Sequence, residues 1–375
     1  MKLPLTLALS PGVPGERGLR RRAVLCAAII GMLGSSVQPL RAADKPASKP
    51  AIVAEKPNQV RGDEITDKQR LSVSKGLDWL AKAQQPDGSY SKGTSGAGIT
   101  ALAGLAFMSA GNLPGRGKYG DNVAKCLKFV LDSTQESGLI ASDQTHGPMY
   151  GHGFATLFLG EIFGMTGDDK VKEKLQMAVR LIERSQNPAG GWRYQPTPFD
   201  ADISVTICQI MALRAARDAG IKVEKDVIDK AVEYVKRCQN ADGGFSYIAG
   251  QGPSGFARSG AGVASLYYAG IFEGDALKNG LEYLKQFTPG KGSSPEMEGH
   301  YFYGNYYAVQ AMFLAGGDYW AQWYPAIRDQ LIARQGAPGN WSGDVSDDYA
   351  TSLALIILQM PNRYLPVFNG KGPGS

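Results

Sequence analysis

The stretch Gln84-Gln85-Pro86-Asp87-Gly88-Ser89-Tyr90 decides the fold, because versions of it return along the chain at a nearly fixed interval. Further copies occupy residues 186–192, 239–245 and 335–341, and each ends in an aromatic residue two positions after a glycine. Every copy follows a run with helical apolar spacing and precedes an apolar run rich in glycine and alanine. We therefore treat helix, glycine-rich turn and helix as one repeating unit.

Six such units follow one another, two of them with weaker turns. The residue five positions before the glutamine position marks them about fifty residues apart, at Trp79, Phe129, Leu181, Tyr234, Tyr283 and Gln330. A period of this length is typical of a supersecondary unit that cannot bury its apolar face alone. The terminal units keep the pattern and lack the polar outer face of a capping repeat. We therefore predict an all-α fold in which six helix pairs close into a double ring, with amphipathic first helices outside and apolar second helices inside.

The first residues have the pattern of a targeting segment. Arg20-Arg21-Arg22 precede a short apolar run from Ala23 to Leu33, which falls below the roughly 20 residues of a membrane-spanning helix. We predict that residues 1–42 are an export signal, cleaved near Ala42, with an uncleaved anchor as the alternative. The paired arginines before Val24 resemble a twin-arginine leader, and the general secretion route stays open. The mature chain would then be periplasmic or extracytoplasmic without a transmembrane helix, with residues 43–64 as a flexible linker and 65–375 as the ring domain.

The formal net charge of +5 disappears with this leader. The charged residues of 1–42 are Lys2, Arg17, Arg20, Arg21, Arg22 and Arg41 against Glu16. The remaining chain is balanced, so its charge gives no reason to expect a nucleic-acid partner.

Three cysteines remain after the leader, Cys126, Cys208 and Cys238. An odd number without C-x-x-C spacing supports neither a zinc cage nor a disulfide framework, and we predict no metal and no cofactor. The cysteines are expected to be buried apolar residues, although pairing of Cys208 with Cys238 in an oxidising compartment stays open.

The turn pattern, glutamine followed by glycine and then an aromatic residue, resembles the repeats of prenyltransferases and squalene cyclases over residues 66 to about 359. The resemblance implies an α/α toroid, in agreement with the periodicity. Terpenoid cyclases, protein prenyltransferase β subunits and thioester domains share that fold, so it does not settle the activity. The sequence lacks the Asp-x-Cys of a zinc transferase and the Gly-Cys-Gly-Glu-Gln of a thioester domain.

One stretch resembles a catalytic motif of the family. Phe199-Asp200-Ala201-Asp202-Ile203-Ser204 is similar to the Asp-x-Asp-Asp-Thr of squalene–hopene and class II diterpene cyclases, with Ile203 in place of the last aspartate. The resemblance implies that Asp202 donates a proton and that Asp200 is its acidic neighbour. Helix capping by these carboxylates is the alternative.

Aligning the inner helices places further polar residues near their first turns. The resulting column is Gly98, His152, Asp202, Ser259, Asn305 and Asp348. If helix N-termini meet at one rim, His152 is either a neutral catalytic base or a capping residue. The residues predicted to bind substrate there are Tyr150, Arg258, His300, Tyr303, Asn305, Tyr307, Asp347 and Asp348.

Three functions fit this pattern. The first is an enzyme that resembles the terpenoid cyclases and takes an isoprenoid or other lipid into a central cavity. The second is a non-catalytic module that binds a protein, lipid or glycan at the rim. The third is a glycan-active α/α-barrel enzyme with paired carboxylates. A deep tyrosine-lined chamber with Asp202 at its wall would favour the cyclase, and a filled centre would favour the binding module.

Overall fold

The computed structural model describes residues 64–90, 96–142, 147–291 and 299–369. In that part of the chain the regular structure consists of twelve α-helices and short 3₁₀ turns, without strands. The predicted export signal and nearly all of the predicted linker lie outside the described residues. The odd-numbered helices are α1 (Asp67–Ala83), α3 (Gly120–Asp132), α5 (Asp169–Ser185), α7 (Lys225–Arg237), α9 (Asp275–Lys285) and α11 (Gly317–Arg334). The even-numbered helices are α2 (Gly96–Met108), α4 (Met149–Thr166), α6 (Ile203–Asp218), α8 (Phe256–Tyr268), α10 (Tyr301–Ala315) and α12 (Asp347–Gln359).

The even-numbered helices form a closed inner ring, because each packs against the next and α12 packs against α2. They are buried on almost all sides, and in α2 every residue is buried. The odd-numbered helices pack outside them and are amphipathic, which confirms the predicted α/α toroid. Gly153 lies against Cys208 and Gly160 against Ala215, so α4 and α6 run parallel. We call the edge at which the inner helices begin the upper rim.

The glutamine of each strong repeat ties neighbouring units together. Gln186 Nε2 donates to Gly190 O at 2.9 Å in its own turn and to Val227 O at 2.8 Å on the next outer helix. Gln335 Nε2 makes the same pair of bonds to Gly339 O and to Ser72 O, both at 2.8 Å, and so joins the last unit to the first. These bonds satisfy carbonyl groups that the turn would otherwise leave unpaired, so the glutamine has a structural role.

The motif requires glycine for two reasons: the backbone has a positive φ, and no room exists for a Cβ atom. Gly190 has φ +97°, and a Cβ there would lie 2.1 Å from Lys230 O of the adjacent outer helix. Because an L side chain rarely adopts this φ and has no room, only glycine fits.

The aromatic residue of the motif is held by the following inner helix. Trp192 N donates to Thr206 Oγ1 at 3.1 Å, and Phe245 N donates to Ser259 Oγ at 2.9 Å. The backbone N–H of Ile140 finds the same kind of acceptor in His152 Nδ1, at 3.1 Å. The observed column of acceptors is therefore Thr100, His152, Thr206, Ser259 and Thr351. This corrects the sequence alignment, which placed Gly98, Asp202 and Asp348 two to four residues too early.

The C-terminal segment covers part of the lower end of the inner ring. The short 3₁₀ turn Pro366–Phe368 packs against α4 and α6, and Val367 N donates to the carboxyl group of Glu161 on α4. Glu64, the last residue of the predicted linker, is buried and accepts from Trp320 Nε1 at 2.6 Å. The chain on both sides of the ring is thus fixed to it.

Candidate functional site

Aromatic side chains meet across the centre of the ring. Tyr306 of α10 lies 6.2 Å, between ring centroids, from Phe154 of α4, on the opposite side of the inner ring. Tyr306 Oη donates to Met211 Sδ at 3.6 Å, and Tyr307 Oη lies 3.3 Å from Cys208 Sγ of α6. All five residues are buried, so the axis is occupied at this level. The structure does not show the deep open chamber that the cyclase hypothesis requires there.

Above this packed layer, polar side chains cluster at the first turns of the inner helices, where only Tyr349 is partly exposed and the others are buried. We define the mouth as Tyr150, Asp202, Ser204, Tyr303 and Tyr349. Tyr303 Oη donates to Ser204 O at 2.8 Å and so bridges α10 and α6 at the floor of the mouth.

Two phenols of the mouth have free hydroxyl groups. The hydroxyls of Tyr150 and Tyr349 form no hydrogen bond with any residue that the structure describes. Tyr349 is half-buried, so part of its side chain is accessible to solvent. Burial raises the pKa of both phenols far above the usual range, with the charges of Asp202 and Cys208 adding to the effect on Tyr150. Both groups therefore stay protonated and can donate or accept a hydrogen bond from a ligand.

Asp202 forms one wall of the mouth. It is the N-cap of α6, with Oδ1 accepting from Val205 N at 2.9 Å, as the capping alternative predicts. Its side chain is fully buried, and Oδ2 lies 3.8 Å from Arg193 Nε, too far for a direct hydrogen bond. Burial raises the pKa of Asp202 to about 6, while Val205 N–H, the Tyr247 hydroxyl and Arg193 oppose the shift.

Arg193 organises the outside of this wall. Its Nη1 donates to Asp200 Oδ2 at 2.7 Å, and its guanidinium lies over the rings of Tyr194 and Tyr247, 5.0 and 5.8 Å from their centroids. The hydroxyls of Tyr194 and Tyr247 share a short hydrogen bond. Cation–π contact and the ion pair hold the guanidinium between two carboxylates.

Sequence reasoning missed Arg193, Tyr194 and Tyr247. A signal was present, because the residue after the aromatic of the motif is serine in the other three strong copies, Ser91, Ser246 and Ser342. An arginine at that position departs from the repeat, and such a departure indicates a local role rather than a structural one.

Two residues predicted for the rim lie instead between the rings. His152 is fully buried, its Nδ1 accepts from Ile140, and its environment includes the backbone of Ala178 on α5. Burial lowers the pKa of His152 to about 4, so the imidazole is neutral. Asn305 is also buried, and its Nδ2 donates to Tyr301 O at 3.0 Å, one turn earlier on α10. The hydroxyl of Tyr301 donates to Gln330 of α11, so this face of α10 is turned towards the outer ring. We leave both residues out of the mouth.

His300 and Arg258 form a second group at the rim. His300 is the N-cap of α10 and lies in the left-handed region with φ 56°, which is uncommon for a residue with a side chain. Burial lowers the pKa of His300; Asp344 opposes this change and Arg258 adds to it, so the three side chains are near one another. Arg258 has a buried Nε without a hydrogen-bond partner in the described part of the chain.

The second acidic pair is at the start of α12. Asp347 is exposed and accepts from Asn340 Nδ2 at 2.9 Å, so it closes the turn of the last unit. Asp348 is half-buried in the first helical turn.

Other site classes find no support in the described residues. Within residues 64–369, apart from the gaps given above, no three His, Cys, Asp or Glu side chains are close enough to hold a metal ion. Cys126, Cys208 and Cys238 are free and buried, as the sequence predicts. None of the described helices is both long and apolar enough to span a bilayer.

The sequence matches a known protein family. The profile of the prenyltransferase alpha-alpha toroid domain matches residues 66–292, more than half of the chain. No curated protein matches the sequence at a significant level.

Solved structures with the same fold belong to different functional classes. A type II terpene cyclase from Scytonema is 11% identical, with a TM-score of 0.58, and the match covers 80% of this chain and 100% of that one. An inactive variant of an alpha-1,6-mannanase from Salegentibacter, in complex with alpha-1,6-mannotriose, is 8% identical with a TM-score of 0.60, covering 79% and 99%. A protein from Actinoplanes is 15% identical with a TM-score of 0.54, covering 80% and 99%. At these identities the likeness shows the fold alone.

Proposed function

The chain belongs to the prenyltransferase alpha-alpha toroid family, and from that premise we propose that it is an exported toroid that binds a saccharide chain at the mouth. The observation that carries this proposal is the packed centre. Because Phe154, Tyr306 and Met211 meet on the axis, a polyprenyl chain has no room at that level. The mouth above it keeps the unpaired hydroxyls of Tyr150 and Tyr349.

The chemistry of the mouth suits a ligand rich in hydroxyl groups. Tyr150 and Tyr349 offer hydroxyls that can both donate and accept. Asp202 is buried behind them beside Arg193 and supports the wall of the mouth. The half-buried ring of Tyr349 supplies apolar surface for the C–H face of a sugar. A mannanase with this fold is described in complex with mannotriose, which supports the proposal at the level of the fold.

Binding is favoured over glycoside hydrolysis by the placement of the carboxylates. Hydrolysis needs two carboxyl groups on either side of one glycosidic bond. Asp200 and Asp202 instead share the guanidinium of Arg193 on one wall, and Asp202 also caps α6. We therefore assign Asp202 and Asp200 to the support of the mouth rather than to cleavage of a glycosidic bond.

An array of mannan, cello- and chito-oligosaccharides, followed by calorimetric titration, tests this function. Tyr150→Phe and Tyr349→Phe each remove only a hydroxyl, and we expect each to weaken binding about three- to tenfold. The matched control is Tyr364→Phe, which changes an exposed tyrosine. Absence of binding by the wild-type protein to all three series would remove the proposal.

One observation favours a second candidate, a proton-initiated cyclase. Asp202 is a fully buried acid with a pKa raised to about 6, and its charge is felt by Tyr150 and Tyr303. A proton donor needs such a carboxyl group. Conversion of a polyprenyl substrate by the wild type, abolished in Asp202→Asn, would establish this alternative.

A further inference from the structure

A short arm projects from the chain beside the mouth. It consists of residues 193–201, between Trp192 of the third repeat turn and Asp202 at the start of α6. Asp202 N donates to Trp192 O at 3.0 Å, and Arg193 pairs with Asp200 at 2.7 Å. The two ends of the arm are therefore joined, and its middle is displayed as a closed loop.

Phe199, near the tip of the arm, is the most exposed large hydrophobic residue in the described part of the chain. It is 87% exposed, against 58% for Leu71 and 55% for Tyr364. Packing this ring against a ligand would remove its apolar surface from water, a stabilisation that the free protein lacks.

The backbone around Phe199 is restrained. Pro196 and Pro198 fix φ on either side of Thr197, and two further bonds, Thr197 N to Gln195 O at 2.8 Å and Phe199 N to Thr197 O at 2.9 Å, tighten the loop. A ring presented by such a backbone loses little conformational entropy when a ligand packs on it.

The arm is connected to the mouth through charged groups. Asp200, next to Phe199, holds Arg193, and Arg193 in turn lies beside Asp202 of the mouth. An exposed aromatic ring next to a carboxylate and a guanidinium is the combination that packs on the apolar face of a sugar and bonds its hydroxyls.

We propose that Phe199 and Asp200 form a second saccharide subsite, which binds a unit further along the same chain that enters the mouth. The inference rests on the proposed function. It adds that the protein prefers long chains, because a disaccharide occupies only the mouth whereas a hexasaccharide also reaches the arm.

The test compares disaccharides and hexasaccharides of the mannan, cellulose and chitin series by calorimetric titration. We expect Phe199→Ala to weaken hexasaccharide binding about tenfold and to leave disaccharide binding unchanged. Phe199→Trp keeps an aromatic ring at this position and should bind the hexasaccharide as well as the wild type does. Leu71→Ala, a truncation of an exposed apolar residue on α1, is the control and should change neither.

The outcomes separate the two proposals. If the wild type binds hexasaccharides and Phe199→Ala binds them equally well, the proposed subsite is wrong, whereas the proposal of saccharide binding at the mouth is unaffected. If the wild type binds no saccharide of either length, the proposed function fails and the subsite fails with it.

Discussion

The rings of Phe154 and Tyr306 lie 6.2 Å apart, centroid to centroid, although their helices α4 and α10 stand on opposite sides of the inner ring. The contact means that side chains close the axis below the mouth. It separates this chain from a toroid with a deep central chamber, and it moves the candidate site to the upper rim.

Removing this central contact should destabilise the protein without touching its surface. Tyr306 is 1% exposed, and truncation of a buried aromatic residue to alanine costs about 3–5 kcal/mol because a cavity remains. We expect Tyr306→Ala to lower the free energy of unfolding in urea by that amount. Tyr364→Ala, at an exposed tyrosine, should change it by less than about 1 kcal/mol. Equal stability of the two variants would show that the centre is not packed.

The repeat glycine gives a prediction with a matched control. Gly190 and Gly220 both have positive φ, +97° and +88°, but a Cβ at Gly190 would meet Lys230 O whereas nothing lies within 4 Å of one at Gly220. Gly220→Ala should therefore cost only about 1–2 kcal/mol in conformational strain. Gly190→Ala should cost clearly more, measured by thermal unfolding, because the turn must also move away from α7.

Glu161 should make stability depend on pH. Burial raises the pKa of Glu161 from 4.5 to about 8, with Asp218 adding to the rise and Val367 N–H opposing it. A raised carboxyl pKa means that the folded state holds a proton that the unfolded state releases, so stability falls as pH rises between about 4.5 and about 8.

Glu161→Gln keeps an acceptor for Val367 N–H but removes this titration. The variant should gain stability relative to the wild type as pH rises through that window, by a few kcal/mol at its upper end. Glu136→Gln, at an exposed glutamate, is the control and should run parallel to the wild type. A pH-independent difference between Glu161→Gln and the wild type would contradict the assignment.

His152 has the opposite dependence. Burial lowers its pKa from 6.5 to about 4, so its contribution to stability is complete above about pH 6.5 and is lost as pH falls towards about 4. His152→Thr introduces the residue type that occupies the equivalent positions Thr206 and Thr351. The variant should no longer lose stability as pH falls from about 6.5 to about 4. Saccharide binding near neutral pH should be unchanged, since His152 bonds Ile140 between the rings. A large loss of binding would place His152 in the site after all.

The sequence predicts the fold well because the repeat bonds are local and recur. Gln186, Gly190 and Trp192 each make contacts that their counterparts repeat in other units, so periodicity alone identifies them. Asp202 could be found through its resemblance to a cyclase motif, and its capping role through its position before an apolar helix.

The rest of the site could not be predicted from the pattern. Helices such as α4 and α10 are apolar on all sides, so nothing in the sequence shows that His152 and Asn305 face the outer ring while Phe154 and Tyr306 face the axis. The role of Arg193 depends on a loop that returns to Asp200, a contact that helical periodicity does not encode.

The most direct test of the central claim is native mass spectrometry of the protein, mixed in turn with a manno-, a cello- and a chito-hexasaccharide and, separately, with a linear polyprenol. The account predicts a one-to-one saccharide complex that Tyr150→Phe and Tyr349→Phe weaken, and no bound polyprenol. A complex with the polyprenol, or formation of a cyclised product, without any saccharide complex would contradict this account. It would favour a cyclase that binds its substrate at the centre of the ring.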